Sequence, residues 1–283
     1  MRKAFFIFLA IAIVGCTSIE YEPNFKSEKI SDESGNLFLI GGGRQHDSIM
    51  SQFLDLAPAD KKNVLIVPFA NQNPEKRGQS QCKQFMKLGA TVCNVILCDK
   101  DSLDSEKYLG MLDDVNLVFF LGGSQATLLD YIGGSEFLDK IVNIYKNGGV
   151  IGGNSAGAAS MSKVMITGKE IKPSNTEELF LGIDKDNVET AEGLGFFDNV
   201  IIDQHFLYRK RHNRLFSVLL NNPGLRGVGI DEGTAIIVDK NKTMRVIGES
   251  YVMVIEPNNI MKKPIDEAPV FTIRLLSAGD KYE

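Results

Sequence analysis

The amino-acid sequence predicts an α/β fold with one doubly wound, mostly parallel sheet and an antiparallel extension at its C-terminal side. In the first half of the chain, short and nearly continuous apolar runs alternate with stretches of helical periodicity. Such runs are typical of strands whose two faces are both covered by helices. After about residue 224 the runs become shorter and are separated by turns, which is the pattern of antiparallel strands.

The candidate parallel strands are five apolar runs. They cover residues 37–40, 64–67, 91–97, 115–121 and 149–151. Apolar residues at helical spacing predict helices over residues 79–88 and 137–145 between these strands. Alternation of strand and helix predicts crossover connections and therefore a mostly parallel sheet in a single domain.

The C-terminal part is expected to extend the same sheet with antiparallel strands. The candidates are residues 228–230, 235–238, 244–247, 251–254 and 270–273, with a hairpin connection at 239–242. We therefore predict that residues 36–283 form one domain.

Residues 1–15 have the pattern of an export signal. Arg2 and Lys3 precede an apolar run that is too short to span a bilayer as a helix. The run ends in Gly15 and Cys16, which resembles the lipobox of bacterial lipoproteins, where the cysteine is lipidated; the alternative is an ordinary secretory signal. We predict a lipid anchor at Cys16, a polar tether over residues 16–35, and a location on a bacterial membrane in the cell envelope.

The composition excludes some partners. The formal net charge is −5, so the protein is expected to have no general affinity for nucleic acid. The remaining cysteines, Cys82, Cys93 and Cys98, permit at most one disulfide; either all three are unpaired or one pair includes Cys82. No CxxC motif occurs, and we predict no metal site.

Ser155 is the candidate nucleophile. It follows an apolar strand, lies between Gly153 and Gly157, and precedes a run of small residues. This is the strand–turn–helix pattern of a nucleophile elbow, in which a sharp turn brings neighbouring backbone close. The amide of Ala156 is then expected to stabilise the oxyanion of a tetrahedral intermediate, together with the amide of Gly123.

His205 is the candidate general base. Of the three histidines it is the one that ends an apparent strand, whereas His46 is interpreted as a loop or rim residue and His212 as a solvated helix residue. The acid that orients the base is expected to be Glu232, at another strand end, with Glu170 as the alternative.

A cationic cluster follows the base. Arg209, Arg211 and Arg214 lie within six residues, and the last two would share one face of a helix. A solvated basic face is the simpler interpretation of such a cluster. Its position directly after His205 favours binding of a carboxylate-bearing substrate, since guanidinium groups bind carboxylates in a bidentate manner.

Four segments together resemble cyanophycinases, which are serine exopeptidases related to dipeptidase E with a class I glutamine amidotransferase-like fold. The segments are residues 122–125, 153–158, 203–214 and 229–235. The resemblance implies a Ser155–His205–Glu232 triad that needs no metal or organic cofactor. It also implies a substrate pocket that contains Gln125, Asp203, Gln204, Arg209, Arg211 and Arg214.

The resemblance further implies the substrate. Cyanophycin has a poly-aspartate backbone with arginine on each side-chain carboxyl, and the family releases β-Asp-Arg dipeptides from it. Asp203 would then meet the guanidinium of the substrate. The expected partner is a cyanophycin-like polymer or another acidic β-aspartyl peptide, and the expected assembly is a homodimer. The alternatives are an aspartyl dipeptidase for short peptides and a surface lipoprotein that binds without turnover.

Overall fold

The computed structural model describes residues 30, 35–172, 179–257 and 270–283. The predicted signal segment and Cys16 lie outside the described residues, as does almost all of the predicted tether. Over the ranges that are described, no helix combines the length and the apolar character needed to cross a bilayer.

Fourteen strands and seven α-helices are found in the described ranges. The strands are β1 (Asn36–Ile40), β2 (Asn63–Val67), β3 (Val92–Val95), β4 (Leu117–Phe120), β5 (Val150–Asn154), β6 (Val164–Glu170), β7 (Val188–Glu192), β8 (Val200–Gln204), β9 (Arg226–Ile230), β10 (Thr234–Val238), β11 (Met244–Gly248), β12 (Val252–Pro257), β13 (Phe271–Leu276) and β14 (Lys281–Tyr282). The helices are α1 (Asp47–Leu54), α2 (Pro74–Lys87), α3 (Glu106–Leu109), α4 (Gln125–Ile132), α5 (Glu136–Lys146), α6 (Ala156–Ala159) and α7 (His212–Asn221).

The main sheet has eight strands in the order β14-β11-β10-β1-β5-β4-β2-β3. From β1 to β3 all neighbours are parallel, and β10, β11 and β14 continue the sheet in antiparallel pairing beyond β1. Ile40 pairs with Asn154, so the carboxyl ends of β1 and β5 lie level. The predicted fold class is confirmed.

A second sheet of four strands has the order β13-β12-β9-β8. The expectation that all C-terminal strands extend one sheet was therefore wrong, because β9, β12 and β13 pair with one another and with β8. Apart from the half-buried Arg226 at the start of β9, all residues of β9 and β10 are buried. Burial on both faces is compatible with a place in either sheet, so it does not predict which strand pairs with β9 or β10. The predicted connection between β10 and β11 does form a tight hairpin.

Alternate residues of β1 point to opposite sides of the main sheet. Leu37 and Leu39 belong to one hydrophobic cluster, whereas Phe38 and Ile40 belong to another. Because both faces are packed, β1 is held centrally and rigidly. Its carboxyl end is the place around which the candidate site is built.

Helix α2 begins at Pro74, five residues before the predicted start, because proline is well suited to the first helical turn. A disulfide joins Cys82 of α2 to Cys93 of β3, and Cys98 is free. Of the two cysteine arrangements left open by the sequence, the pair that includes Cys82 is the one formed. The disulfide fixes α2 against the edge of the sheet.

Candidate active site

Ser155 occupies a strained turn between β5 and α6. Its φ and ψ are 53° and −110°, a region that non-glycine residues rarely adopt. A Cβ added to Gly153 would lie 2.3 Å from the Gly157 carbonyl oxygen, and one added to Gly157 would lie 2.5 Å from that of Phe120. The turn therefore needs glycine at both positions, and the predicted strand–turn–helix element is confirmed.

Ser155, His205 and Glu232 form a continuous hydrogen-bonded series. The Ser155 hydroxyl lies 2.8 Å from His205 Nε2, and His205 Nδ1 contacts Glu232 Oε1. Because Nδ1–H donates to the carboxylate, Nε2 is left as the acceptor for the hydroxyl proton. Glu170 does not take this place, since its Oε1 accepts the Phe180 amide at 2.6 Å.

The backbone of β1 and the loop after it holds this series together. Three consecutive carbonyl oxygens, those of Ile40, Gly41 and Gly42, accept the amides of Ser155 (2.9 Å), His205 (2.6 Å) and Gly233 (3.0 Å). The first two carbonyl oxygens thus fix the backbone of Ser155 and His205, and the third fixes Gly233, which directly follows Glu232. These contacts involve backbone only, and the sequence signal for them is the run of three glycines at residues 41–43.

The same glycines let the loop touch the side chains of the series. A Cβ added to Gly42 would lie 2.3–2.7 Å from three atoms of the His205 ring, and Gly42 has φ +115°. A Cβ added to Gly43 would lie 2.8 Å from Glu232 Cβ. The loop therefore packs directly behind the imidazole. A larger residue at Gly42 would displace the His205 ring.

The environment of His205 favours its neutral form. Burial lowers the pKa of His205 below its ordinary value, and the positive charges of Arg209 and Arg211 lower it further. The hydrogen bond and charge of Glu232 oppose these effects without outweighing them. The imidazole is therefore unprotonated at neutral pH, as a general base must be.

The cations of the cluster have different surroundings. Arg209 is exposed, whereas Arg211 is largely buried and donates to the Gln204 carbonyl oxygen at 2.8 Å. Burial lowers the pKa of Arg211 to about 10, which leaves it cationic at neutral pH. Arg211 precedes α7, and only Arg214 belongs to the helix, so the expected shared helical face does not form.

Arg214 and Asp203 are bound to each other. Arg214 Nε donates to Asp203 Oδ2 at 2.7 Å, its Nη2 contacts Oδ1, and the two residues are only 3% and 1% exposed. The expectation that Asp203 meets a substrate guanidinium does not fit this arrangement, because a guanidinium of the chain already fills the carboxylate. The pair instead fixes α7 to β8.

Gln204 and Gln125 are buried near the site but have different contacts. Gln204 Oε1 lies 3.1 Å from Ser155 Oγ, so it contacts the nucleophile directly. Gln125 Nε2 donates to the carbonyl oxygens of Ile166 and Thr167, which attaches α4 to β6. The structure therefore brings Gln204, but not the amide nitrogen of Gln125, to the reacting atoms.

The two predicted oxyanion donors lie on turns next to Ser155. Ala156 is the first residue of α6, where an amide has no intrahelical acceptor. The turn that contains Gly123 also lies close, because a Cβ on Gly122 would be 3.2 Å from Ser155 Cβ. Their stabilisation of an oxyanion stays a prediction.

Sequence reasoning missed the role of Asp231. Its Oδ1 accepts the amides of Leu207 and Tyr208 at 3.0 and 2.8 Å, and its Oδ2 accepts from Ser250 Oγ at 2.7 Å. Asp231 thus shapes the turn that follows His205. An acid beside Glu232 was visible in the sequence, but its burial and its backbone partners were not.

The other two histidines do not join the series. His46 precedes α1 and lies 3.7 Å from Glu249, and the His212 ring packs against that of Phe206. In the part of the chain that the structure describes, no group of three His, Cys, Asp or Glu side chains is arranged to hold a metal ion.

The fold and this series of side chains define the class of a serine-type hydrolase. The model of Peptidase family S51 matches residues 37–246, and the chain belongs to that family. It is similar to a cyanophycinase of Geminocystis herdmanii (strain PCC 6308), with 30% identity over 260 residues that cover 87% of this chain and 93% of the relative.

A further relative and a solved structure are also similar to this chain. A cyanophycinase of Synechococcus elongatus is 28% identical over 271 residues, which cover 89% of this chain and 80% of the relative. The crystal structure of a peptidase from an acI-B1 Actinobacterium has a TM-score of 0.66 and 21% identity, and covers 89% of this chain and 97% of that chain. At this identity the likeness shows a shared fold.

Proposed function

We propose that this protein is a serine exopeptidase of cyanophycinase type that hydrolyses a cyanophycin-like polymer or related β-aspartyl peptides. The observation that carries the proposal is the unbroken contact series from the Ser155 hydroxyl through His205 to Glu232. The near full-length similarity to two cyanophycinases supports the substrate class.

The geometry supports a two-step mechanism. Ser155 Oγ attacks the carbonyl carbon of the scissile peptide bond while its proton passes to His205 Nε2. Glu232 stabilises the imidazolium that results. The tetrahedral intermediate collapses when Nε2 gives the proton to the leaving amine, and the acyl group stays on Ser155.

Deacylation repeats these transfers with water. His205 takes a proton from the water as it attacks the ester carbon, and then returns a proton to Ser155 Oγ as the ester bond breaks. The amides of Ala156 and Gly123 are proposed to bind the oxyanion in both steps.

Substrate carboxylates are proposed to meet Arg209 and Arg211. Arg209 is exposed, and Arg211 retains guanidinium nitrogens beyond the Nη1 that binds the Gln204 carbonyl oxygen. The buried ion pair of Arg214 and Asp203 holds α7 in place next to Arg209 and Arg211.

Product analysis tests the function. The full-length protein is incubated with cyanophycin and with a panel of β-aspartyl dipeptides, and mass spectrometry is expected to find β-Asp-Arg released from the polymer. Ser155→Ala should lower turnover by about 10⁴-fold or more. Ser160→Ala is the control, since Ser160 lies on the same segment and its hydroxyl binds the Gly157 carbonyl oxygen instead.

Different results would identify the alternatives. Cleavage of the dipeptides with untouched polymer would indicate an aspartyl dipeptidase. Failure of a fluorophosphonate probe to label Ser155 at any pH, together with no product, would indicate a binding protein without turnover. Undiminished hydrolysis by Ser155→Ala would disprove the mechanism.

Lipid attachment at Cys16 is a separate proposal, which rests on the signal-like pattern of residues 1–16. The full-length protein should partition with membranes, and Cys16→Ala should be recovered without detergent. Recovery of both forms in the soluble fraction would disprove the anchor.

A homodimer, which the family resemblance implies, also stays a prediction. Light scattering of the detergent-free Cys16→Ala protein should give twice the monomer mass. A monomer mass over the whole accessible concentration range would disprove it.

A further inference from the structure

A polar cavity lies beside the segment that carries the nucleophile. It has a volume of about 400 Å³ and is lined by residues 43–45 of the loop after β1, by one face of α2, and by Gly122 and Asn154. Asn154 directly precedes Ser155, and Gly43 approaches Glu232. The cavity therefore shares its wall with the catalytic series but is built from elements other than the segment of Arg209–Arg214.

Two side chains of the cavity wall carry buried oxygens that lack partners. Asn154 is only 9% exposed, and its Oδ1 has no hydrogen-bond donor among the described residues. Gln45 Oε1 is likewise a buried oxygen without a donor in those ranges. Because a buried unsatisfied acceptor is costly, the cavity wall would be stabilised by a ligand that supplied N–H or O–H donors to these oxygens.

Two cations face the same space. Arg44 and Arg77 both line the cavity, both are exposed, and neither forms an ion pair with a residue in the described part of the chain. The acid whose pKa responds to Arg44 is Asp47, and its carboxylate is already bound by Lys87 and Gln84. Both guanidinium groups are thus available to an anionic ligand.

The cavity is built on fixed elements. Gln84 Nε2 donates to the Gln45 carbonyl oxygen at 2.9 Å, which joins α2 to the loop after β1. A Cβ added to Gly78 would lie 2.4 Å from Val95, so α2 packs very closely on β3, and the Cys82–Cys93 disulfide holds this contact. A site of this kind is preorganised and spends little binding energy on ordering.

We propose that this cavity is a second substrate subsite, which binds a carboxylate through Arg44 and Arg77 and amide N–H groups through Asn154 and Gln45. Its ligand is a neighbouring, carboxylate-bearing unit of the same chain whose scissile bond lies at Ser155. This subsite rests on the proposed function, because it assigns a second part of the substrate to the same site. It would make the enzyme recognise the carboxylates of two consecutive units instead of one.

Binding to a protein that cannot turn over tests the subsite. The ligand is a synthetic compound of two aspartates joined by an α-peptide bond, each with an arginine on its side-chain carboxyl. Two further versions have one or the other arginine carboxylate replaced by carboxamide. Titration calorimetry measures their affinity for full-length Ser155→Ala, alone and combined with Arg44→Ala/Arg77→Ala.

Loss of two charge-assisted contacts should weaken binding of the parent compound by about tenfold or more. Lys76→Ala/Lys83→Ala is the matched control, since it removes two exposed cations of α2 that do not line the cavity. In the Ser155→Ala background, this lysine variant should bind the parent compound with an affinity within about twofold of that of Ser155→Ala alone. One of the two carboxamides should bind about tenfold more weakly than the parent compound when both arginines are present, and equally well when they are absent.

The outcomes separate the subsite from the function. Equal affinity with and without Arg44 and Arg77, or no measurable binding to the Ser155→Ala protein, overturns the subsite; hydrolysis of the compound by wild type would then leave the function standing. Binding that depends on both arginines, combined with no hydrolysis by wild type, overturns the function and keeps the subsite.

Discussion

The end of β1 organises the candidate catalytic residues by backbone contacts alone. Its carbonyl oxygens at Ile40 and Gly41 hold the amides of Ser155 and His205, and both of these residues have positive φ. Such conformations cost about 1–3 kcal/mol each and persist only where surrounding structure imposes them. The loop after β1 is therefore as important for the geometry as the side chains of the proposed triad.

Gly42→Ala should impair activity far more than it impairs folding. The new Cβ would collide with the His205 ring and shift the imidazole from Ser155. A misplacement of about 1 Å can cost about 100-fold in rate. Gly89→Ala is the control, because Gly89 also has a positive φ (+99°) but a Cβ there meets nothing within 4 Å.

Steady-state rates and thermal melts distinguish these effects. Both variants should lose similar stability from backbone strain, and only Gly42→Ala should lose kcat. Equal kcat in the two variants would show that the packing of the loop behind the imidazole is unimportant.

The pH dependence should reveal the lowered pKa of His205. The proposed general base, His205, must be neutral to act, so the acid limb of kcat/KM should lie below pH 6.5. Activity should then fall as the pH drops through the pKa of the free enzyme. Arg209→Gln removes a positive charge that favours the neutral imidazole. The pKa should therefore rise, and the limb should move to higher pH.

Lys210→Gln provides the control for this shift, since it removes an exposed neighbouring charge that is not among the causes of the shift at His205. Its limb should stay in place. If Arg209→Gln leaves the limb unmoved or moves it to lower pH, the electrostatic account of His205 is wrong.

At the scale of elements, local signals were sufficient for the elbow and insufficient for strand partners. Glycines around Ser155 and the apolar run before it predict a strand–turn–helix because each requirement is local. The partner of β9 depends on contacts between distant segments, and its uniform burial gives no directional cue. The sequence could likewise suggest that Arg214 binds substrate, but it could not show that the Asp203 carboxylate already binds the Arg214 guanidinium.

The buried Asp203–Arg214 pair should matter first for stability. Arg214→Met would leave the enclosed Asp203 carboxylate with only the more distant Arg211 guanidinium, whose Nη1 lies 3.8 Å from Oδ1, and loss of the bound partner of a buried ion typically costs about 3–5 kcal/mol. Arg226→Met breaks a more exposed pair with Glu256 and should cost only about 1 kcal/mol or less. Denaturant unfolding compares the free energies of the two variants.

A different result would restore the interpretation from sequence. If Arg214→Met unfolds at the same denaturant concentration as wild type and only KM rises, then Arg214 binds substrate directly and the ion pair is dispensable.

At the scale of the whole molecule, the site lies where the two sheets meet. Ser155 follows β5 of the main sheet, His205 follows β8 of the second, and Glu232 lies between β9 and β10, which belong to different sheets. The fold class was predictable from periodicity, and the three residues from their places at strand ends. Their convergence required both sheets, which a linear pattern does not reveal.

The disulfide gives the proposed export a test inside cells. Disulfides persist in oxidising compartments and are rare in the cytosol. If the chain is exported, Cys82 and Cys93 should be paired in cells, and only Cys98 should react with a maleimide after acid quenching and denaturation, because a lipidated Cys16 has no free thiol. A form without residues 2–16 stays in the cytosol and should show three reactive thiols.

The free energy of unfolding should be lower in forms that lack the Cys82–Cys93 disulfide. The disulfide closes a loop with a sequence separation of 11 residues. Its loss should therefore cost about 2–3 kcal/mol. Purified Cys82→Ala/Cys93→Ala should show this loss under oxidising conditions, whereas Cys98→Ser should not. Four reactive thiols in the full-length chain from cells, those of Cys16, Cys82, Cys93 and Cys98, would contradict export, because an oxidising compartment would have closed the Cys82–Cys93 disulfide.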